Sequence, residues 1–199
     1  IAPSYLEKLV SLADSLDLDI AFCDRRRFIK TPSDLGEAGM YPRRKAWGPL
    51  AGKEWFEKTL YDKVWYGAVW ASLFRRGFIE DHNFRFTEGL AAGSDVLWTA
   101  ALHPRAKRVA FTPETAYYYR DTPESIVNDN SIEGRIKRIR AHTFVVEEIL
   151  RRADSESAPL AEIFMAIAVE GGRQLLGEVS DLPSLKQRII ISSHLRKRG

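Results

Sequence analysis

The sequence has little cysteine, no long apolar run and no large excess of one charge. Its single cysteine, Cys23, cannot form a disulfide within the chain, so nothing here demands an oxidising compartment. The apolar stretch 163–169 is far shorter than the roughly 20 residues that a helix needs to cross a bilayer. Thirty basic and 27 acidic residues leave a net charge of +3, too small to indicate nucleic-acid binding by itself. With 45% hydrophobic residues, this composition predicts an ordinary globular protein.

Several motifs that would define a cofactor site are also missing. The sequence has no glycine-rich dinucleotide fingerprint, no phosphate-binding loop, no H-E-x-x-H and no paired C-x-x-C, which removes the basis for a dinucleotide, P-loop or structural zinc site. The four histidines, His82, His103, His142 and His194, are far apart and lack ligand spacing. We therefore expect all four to be structural or to face solvent.

The segment from residue 31 to 52 contains three prolines and several glycines, a density that favours a long loop over a regular element. Loops of this length usually serve a function or are mobile, so Arg43, Arg44, Lys45 and Trp47 are candidates for ligand contact. A solvated basic loop is the alternative interpretation.

Hydrophobic periodicity predicts an α/β protein whose last third is helical. A helix followed by a short apolar strand is half of an α/β unit, and the strand expected before that helix for parallel pairing is missing from this sequence. The predicted elements are a helix over 4–16, a strand over 20–23, a helix over 53–61, an extended segment over 64–74, a helix over 75–82, an extended piece over 84–86, a helix over 94–102, strands over 108–112 and 116–120 divided by Pro113-Glu114, and helices over 132–153, 160–176 and 185–195.

A series of short motifs follows in a fixed order along residues 1–128. They are Tyr5-Leu6-Glu7, Asp19-Ile20-Ala21-Phe22-Cys23-Asp24, Val69-Trp70, Arg75-Arg76-Gly77-Phe78, Phe86-Thr87-Glu88-Gly89, Ser94-Asp95, Pro113-Glu114, Tyr119-Arg120 and Ser125-Ile126. Together they resemble the second half of bacterial family 2 glycosyltransferases of GT-A fold. The resemblance implies that 1–128 is the acceptor-side half of a GT-A domain, that the donor-binding half with its D-x-D lies outside this chain, and that 129–199 is a helical C-terminal region.

The resemblance implies transfer of a sugar, of the hexosyltransferase type, from a nucleotide-diphosphate donor to a glycan or lipid-linked acceptor with inversion. Asp95 matches the family's catalytic base, and a carboxylate is ionised and ready to accept a proton at neutral pH. Ser94 stands where the family usually has Glu, and we include it among the substrate-binding candidates. A structural interpretation stays open, because a hydroxyl and a carboxylate also favour the start of a helix.

Three further residues match positions that bind substrate in the family. Arg120, after Tyr119, could hold phosphate oxygens in a bidentate manner, or it could pair with Asp121 or Glu124. Trp70 could stack on a sugar ring or belong to the core. The sequence leaves each of these alternatives open.

The resemblance also implies a divalent cation, Mg²⁺ or Mn²⁺, that offsets charge on the departing diphosphate in the full-length enzyme. We expect this chain to hold none. The acidic pair Asp17 and Asp19 precedes a strand rather than following one, and Glu80-Asp81 looks like a solvated helix end. Because the resemblance places the donor-binding half outside this chain, we expect the chain by itself to bind donor weakly and to show no transferase activity.

The segment 182–199 carries five basic residues with isoleucines beside them and no acid. It could lie on an anionic membrane surface, which would place a cytoplasmic enzyme at the inner face of the membrane, or it could be a plain basic tail. Two rival functions remain for the whole chain. One is a non-catalytic scaffold that keeps the acceptor-side fold, and the other, nucleic-acid binding, is disfavoured because basic and aromatic residues are not interleaved.

Overall fold

The computed structural model describes residues 1–28, 31, 46–61, 67, 69–90, 92–123, 125–126, 128–180 and 184. The chain divides into two compact units. The first comprises Ile1–Arg85 and Trp98–Thr122, and the second comprises Phe86–Leu97 and Pro123–Gly199. The first unit holds a sheet with helices and the second is helical, which confirms the predicted α/β class and the helical C-terminal region. The predicted boundary at residue 128 stays a prediction.

A four-stranded sheet organises the described part of the first unit. Its strands are β1 (Ile20–Phe28), β2 (Trp47–Leu50), β3 (Ser72–Phe74) and β4 (Val109–Arg120), in the order β2-β4-β1-β3. The central pair, β1 and β4, is parallel, whereas β2 and β3 run antiparallel to their neighbours. The parallel pair carries the residues that matter most for the site.

Strand β1 continues five residues beyond its predicted end at Cys23. Its buried first half is the apolar run that the sequence shows, but the ladder with β4 extends through Asp24 to the pair Phe28 and Arg120. Backbone hydrogen bonding to a partner strand does not require apolar side chains, so the arginines that follow Asp24 are compatible with it. The predicted boundary was therefore too early.

The two strands predicted over 108–112 and 116–120 are one continuous strand, β4. The register shows how Pro113 and Glu114 are accommodated, because Cys23 pairs with Thr112 while its neighbour Asp24 pairs with Thr115. The two intervening residues form a β-bulge, where proline is tolerated because its missing N–H breaks no ladder bond. The predicted interruption at Pro113 and Glu114 was wrong, but the ladder is irregular at these two residues.

The helices of the first unit lie close to their predicted positions. They are α1 (Tyr5–Ser15), α2 (Gly52–Tyr61) and α3 (Arg76–Asp81). Helix α4 (Ser94–Leu102) belongs to the second unit up to Leu97 and to the first unit from Trp98, and it continues into a short 3-10 turn over His103–Arg105. Of the extended segment predicted over 64–74, Ser72–Phe74 is a strand, while residues 62–66 and 68 lie outside the described residues. The piece predicted over 84–86 is irregular rather than a strand.

The loop predicted over 31–52 ends in a strand. Trp47 belongs to β2, and the centroid of its ring lies 5.6 Å from that of Trp55. The Lys58 ammonium lies 4.5 Å from the centroid of the Trp47 ring. Trp47 is thus part of the packing around the core, not a residue of a solvated loop. Residues 32–45, which include the candidates Arg43, Arg44 and Lys45, lie outside the described residues.

The core of the first unit lies between the sheet and the helices packed on it, and it includes the side chains of Leu9, Ile20, Phe22, Trp55, Leu102 and Val109. His103 is fully buried there, with its ring edge-on to Phe22 at 5.3 Å. Burial lowers the pKa of His103 to about 3, so the imidazole stays neutral at physiological pH. The structural role predicted for this histidine is confirmed.

The second unit is built on α5 (Ile132–Ala153) and α6 (Ala158–Ser180). Helix α5 has its predicted bounds and begins at Ser131, whose hydroxyl accepts a hydrogen bond from the Gly134 N–H at 3.0 Å. Helix α6 is longer than predicted at both ends, and its residues Leu175 and Val179 pack on buried Ile139. The third helix, predicted over 185–195, lies outside the described residues. Within the part of the chain that the structure describes, none of the helices has the length and apolarity to cross a membrane.

Candidate functional site

The catalytic candidate Asp95 lies in the first turn of α4, and the turn before it depends on Gly93. Gly93 has a φ of +77°, and its carbonyl oxygen accepts the first helical hydrogen bond, from the Leu97 N–H at 3.1 Å. A Cβ atom at position 93 would lie 2.7 Å from the Val145 Cγ2 atom on α5. Both the backbone conformation and the close approach therefore require glycine here.

Replacing Gly93 with Ala is expected to lower the free energy of unfolding by about 2–3 kcal/mol, because the side chain is strained at positive φ and also meets Val145. Val145 is buried and β-branched, so it cannot move aside by a rotamer change. Gly89→Ala is the matched control, since Gly89 has a φ of +72° and nothing within 4 Å of its added Cβ. Urea unfolding should show a loss of only about 1 kcal/mol for the control. Equal losses in the two variants would mean that Val145 moves aside and that its contact with the added Cβ costs nothing.

The Asp95 carboxylate is half-buried and fixed by its own helix. Its Oδ1 accepts a hydrogen bond from the Val96 N–H at 2.9 Å. Burial raises the pKa of Asp95, while hydrogen bonds from the backbone and the charge of His142 act in the opposite direction. A carboxylate with a raised pKa is a stronger base than one in water, which suits it to accept a proton.

His142 on α5 interacts electrostatically with Asp95, and sequence analysis missed it. It belongs to a charged group that also contains Arg138, one helical turn earlier, and Glu178 on α6. The Arg138 Nε atom lies 3.1 Å from Glu178 Oε1. The pKa of His142 is lowered, mainly by burial; Arg138 lowers it further, whereas Glu178 and Asp95 act in the opposite direction. The spacing of Arg138 and His142 on one helix face was visible in the sequence, but its link to Asp95 was not.

A second set of candidates comes together on the first unit. We call it the aromatic–arginine cluster, and it consists of Arg25, Arg27, Trp70, Tyr117 and Tyr119. The Trp70 ring lies 4.5 Å from the Tyr117 ring and 5.0 Å from the Tyr119 ring, centroid to centroid. The Arg25 guanidinium carbon lies 4.5 Å from the Trp70 centroid, and that of Arg27 lies 5.7 Å from the Tyr119 centroid. The predicted candidates Trp70 and Tyr119 are thus neighbours.

Sheet register explains how the cluster forms. In the parallel ladder Arg25 pairs with Tyr117 and Arg27 pairs with Tyr119, and residues two apart on a strand share a face. Sequence analysis missed Arg25 and Arg27. The signal that was available is the run of three arginines directly after a buried apolar strand.

Arg120, the third substrate-binding candidate of the first unit, is not part of this cluster. It pairs with Phe28 in the ladder, and its guanidinium carbon lies 5.4 Å from the Phe28 ring centroid. Because neighbouring residues on a strand face opposite sides, Tyr119 and Arg120 cannot share one site through this sheet. The candidates Ser94 and Asp95 belong to the second unit.

The acidic pair Asp17 and Asp19 is used within the fold. Asp17 Oδ1 lies 2.8 Å from Arg75 Nη2, and Asp19 Oδ2 accepts hydrogen bonds from the backbone N–H groups of Lys107 and Arg108 at 2.6 and 3.2 Å. These contacts tie the α1–β1 turn to its neighbours. Glu80 and Asp81 are exposed on α3, which confirms the solvated helix end.

The fit to a divalent cation can be judged only for the described residues. Among them, no three or more His, Cys, Asp or Glu side chains come together in a way that could hold a metal ion. This part of the chain therefore offers no donor set for the expected Mg²⁺ or Mn²⁺.

Comparison with known proteins gives a sequence relative and a shared fold. No protein-family model matches the chain. It is 28% identical over 119 residues to the uncharacterized glycosyltransferase YibD of Escherichia coli (strain K12), a match that covers 60% of this chain and 34% of YibD. The crystal structure of S. aureus TarS 1–349 in complex with UDP-GlcNAc matches 96% of this chain and 52% of its own, at 16% identity and a TM-score of 0.63.

A second structure of S. aureus TarS 1–349 matches 82% of this chain and 41% of its own, at 18% identity and a TM-score of 0.53. The chain thus spans about a third of the length of its curated relative and about half of TarS 1–349. It shares the fold of TarS, and its sequence supports a relation to glycosyltransferases.

Proposed function

We propose that this chain is part of a glycosyltransferase of the hexosyltransferase type. The enzyme moves a sugar from a nucleotide-diphosphate donor to a hydroxyl of a glycan or lipid-linked acceptor, with inversion at the anomeric carbon. The observation that carries the proposal is the half-buried Asp95 carboxylate, held at the start of a helix, in a chain that matches a glycosyltransferase in sequence. The fold shared with TarS supports it.

In the proposed reaction Asp95 is the general base. Its carboxylate accepts the proton of the acceptor hydroxyl as that oxygen attacks the anomeric carbon, and the bond to the diphosphate breaks on the opposite side of the sugar. One displacement of this kind inverts the configuration. The Val96 N–H fixes the orientation of the carboxylate, and burial strengthens it as a base. Ser94, beside it in the first turn of α4, is proposed to contact substrate.

The aromatic–arginine cluster is proposed to bind substrate. The faces of Trp70 and Tyr119 can stack on a sugar ring, and the guanidinium groups of Arg25 and Arg27 can offset negative charge on a phosphate. The structure of TarS in complex with UDP-GlcNAc supports a UDP-sugar as the donor. Arg120 lies on the other face of the sheet, so it is proposed to bind phosphate oxygens of substrate on that face and not within the aromatic–arginine cluster.

Two expectations from the sequence stay proposals. The divalent cation, Mg²⁺ or Mn²⁺, would supply charge for the departing diphosphate, but the described residues do not fit it and we assign it no step. Contact with an anionic membrane through 182–199 rests on the basic composition of that segment, of which the structure describes only residue 184.

The test is a transfer assay with the full-length polypeptide that contains this chain. With UDP-GlcNAc and a panel of other nucleotide sugars, we expect UDP or another nucleotide to be released only when an acceptor is present. The 199-residue chain by itself is expected to give no turnover, because it matches only about half of TarS 1–349. Absence of transfer by the full-length protein with every donor and acceptor would contradict the proposed function. Turnover by the 199 residues alone would contradict their proposed inactivity.

A further inference from the structure

The side chain of Tyr5, at the start of α1, reaches the aromatic–arginine cluster within the first unit. The Tyr5 hydroxyl donates a hydrogen bond to the Trp70 carbonyl oxygen at 3.0 Å and lies 3.4 Å from the carbonyl oxygen of Ser72. Its ring is edge-on to the Tyr117 ring, with 6.1 Å between the two centroids. Tyr5 therefore contacts two members of the cluster, Trp70 through its backbone and Tyr117 through its ring.

Trp70 lies two residues before β3, outside the ladder that joins β3 to β1. The next residue, Ala71, is tied to β1 by Cys23, whose backbone N–H donates to the Ala71 carbonyl oxygen at 3.1 Å. For Trp70 the corresponding contact comes from a side chain, because the Tyr5 hydroxyl binds its carbonyl oxygen. The position of the indole thus depends on a contact with α1 as well as on the sheet.

Burial makes the Tyr5 hydroxyl a persistent hydrogen-bond donor. Tyr5 is only 7% exposed. Burial raises the pKa of Tyr5 to about 12, and Cys23 and Tyr117 act in the same direction. The phenol therefore keeps its proton throughout the physiological pH range, and its hydrogen bond to Trp70 does not depend on pH there.

We propose that Tyr5 is a positioning residue for the aromatic–arginine cluster, because its hold on the Trp70 backbone keeps the indole in the arrangement that binds substrate. In that arrangement the Trp70 centroid lies 4.5 Å from the Arg25 guanidinium carbon and 5.0 Å from the Tyr119 centroid. A preformed site binds more tightly, since binding does not have to order it first. The role rests on the proposed substrate binding by the cluster. Tyr5 acts through Trp70 and does not itself touch substrate.

The first test is Tyr5→Phe in the full-length polypeptide that contains this chain, because the change removes the hydroxyl and keeps the ring. We expect KM for the donor or the acceptor of the transfer assay to rise about fivefold, the usual effect of one lost hydrogen bond, while kcat stays within about twofold. Tyr118→Phe is the matched control, since Tyr118 faces the opposite side of β4 from Tyr117 and Tyr119 and should leave KM unchanged. A lower kcat with unchanged KM, or wild-type values of both, would overturn the proposal.

A double variant tests whether Tyr5 acts through Trp70. Trp70→Ala removes the ring that Tyr5 holds, and we expect it to raise the same KM at least as much as Tyr5→Phe does. Adding Tyr5→Phe to Trp70→Ala should then raise KM by no more than about 1.5-fold, whereas independent effects would multiply and add about fivefold. Multiplied effects would overturn the proposal.

A third measurement follows Trp70 without any enzymatic activity. The full-length protein is labelled with 5-fluorotryptophan, and its Trp70 fluorine NMR signal is identified by its loss in Trp70→Ala. The change of this signal between H2O and D2O reports the exposure of the ring, and we expect it to increase about twofold in Tyr5→Phe. The signal of Trp55, which is 2% exposed, should show no such increase. An unchanged Trp70 signal would overturn the proposal even in an active enzyme.

The two kinds of readout separate this proposal from the proposed function. A wild-type protein without transfer activity would contradict the proposed function, and the fluorine signal would then decide by itself whether Tyr5 places Trp70. An active wild-type protein in which Tyr5→Phe changes neither KM nor the Trp70 signal would overturn the role of Tyr5 and leave the proposed function standing.

Discussion

Replacing Asp95 with Asn is expected to lower kcat for sugar transfer in the full-length protein by about a hundredfold or more, with little change in KM. The amide matches the carboxylate in shape and can still accept the hydrogen bond from Val96, but it cannot take the acceptor's proton. Folding should not suffer. Burial raises the pKa of Asp95, which means that the folded state disfavours the charged form, so a neutral amide is tolerated at neutral pH.

The matched control for this variant is Asp81→Asn. Asp81 is an exposed carboxylate on α3, and its replacement removes the same charge from a solvated helix end. Transfer rates measured at saturating donor and acceptor should be unchanged in the control. Full activity in Asp95→Asn would instead favour the non-catalytic scaffold, since Asp95 would then be a residue that only starts a helix.

The helices could be predicted from the sequence because their determinants are local. The spacing of apolar residues predicts α4 and α5 with the bounds that the structure shows, and the hydroxyl of Ser131 marks the start of α5. The ends of α6 could not be predicted in the same way. Packing on Ile139 stabilises Val179 well past the last strongly periodic residue.

Strand pairing was much harder to predict, since register joins residues that are far apart in sequence. Nothing near Arg25 indicates that its strand continues, and the extension follows from the ladder that pairs Arg25 with Tyr117. Pro113 predicted a break, but β4 continues through this position with shifts in the register of the ladder. The aromatic–arginine cluster depends on this register, so only Trp70 and Tyr119 among its members could be proposed from the sequence.

Asp95 could be proposed from the sequence through a motif, but its surroundings could not. The residues that define them lie on α5, about 50 positions later, where Val145 comes close to Gly93. Gly93 has no periodic or motif signal of its own beyond preceding Ser94 and Asp95. A glycine two residues before a proposed catalytic residue is nevertheless a reason to expect a close approach of another element.

Replacing Arg138 with Met is expected to lower the free energy of unfolding by about 3 kcal/mol, the usual cost of removing one member of a buried ion pair. The Arg138 side chain is 6% exposed. It contacts Glu178 and donates to the carbonyl oxygens of Ile126 and Asp129 at 2.9 and 2.6 Å, so the variant leaves a partly buried carboxylate and two carbonyls without their partner. Urea unfolding at neutral pH, followed by circular dichroism of the helices, measures the loss.

Two further variants test whether the loss comes from the buried Arg138–Glu178 ion pair. Arg140→Met, two positions along α5 on the exposed side, should change the free energy of unfolding by less than about 0.5 kcal/mol. The double variant Arg138→Met/Glu178→Gln should recover part of the loss, because it removes the carboxylate that the single variant leaves unpaired. A loss as small in Arg138→Met as in Arg140→Met would show that water replaces the guanidinium without cost. Arg138 would then not be what holds the segment around Ile126 and Asp129 to the start of α5.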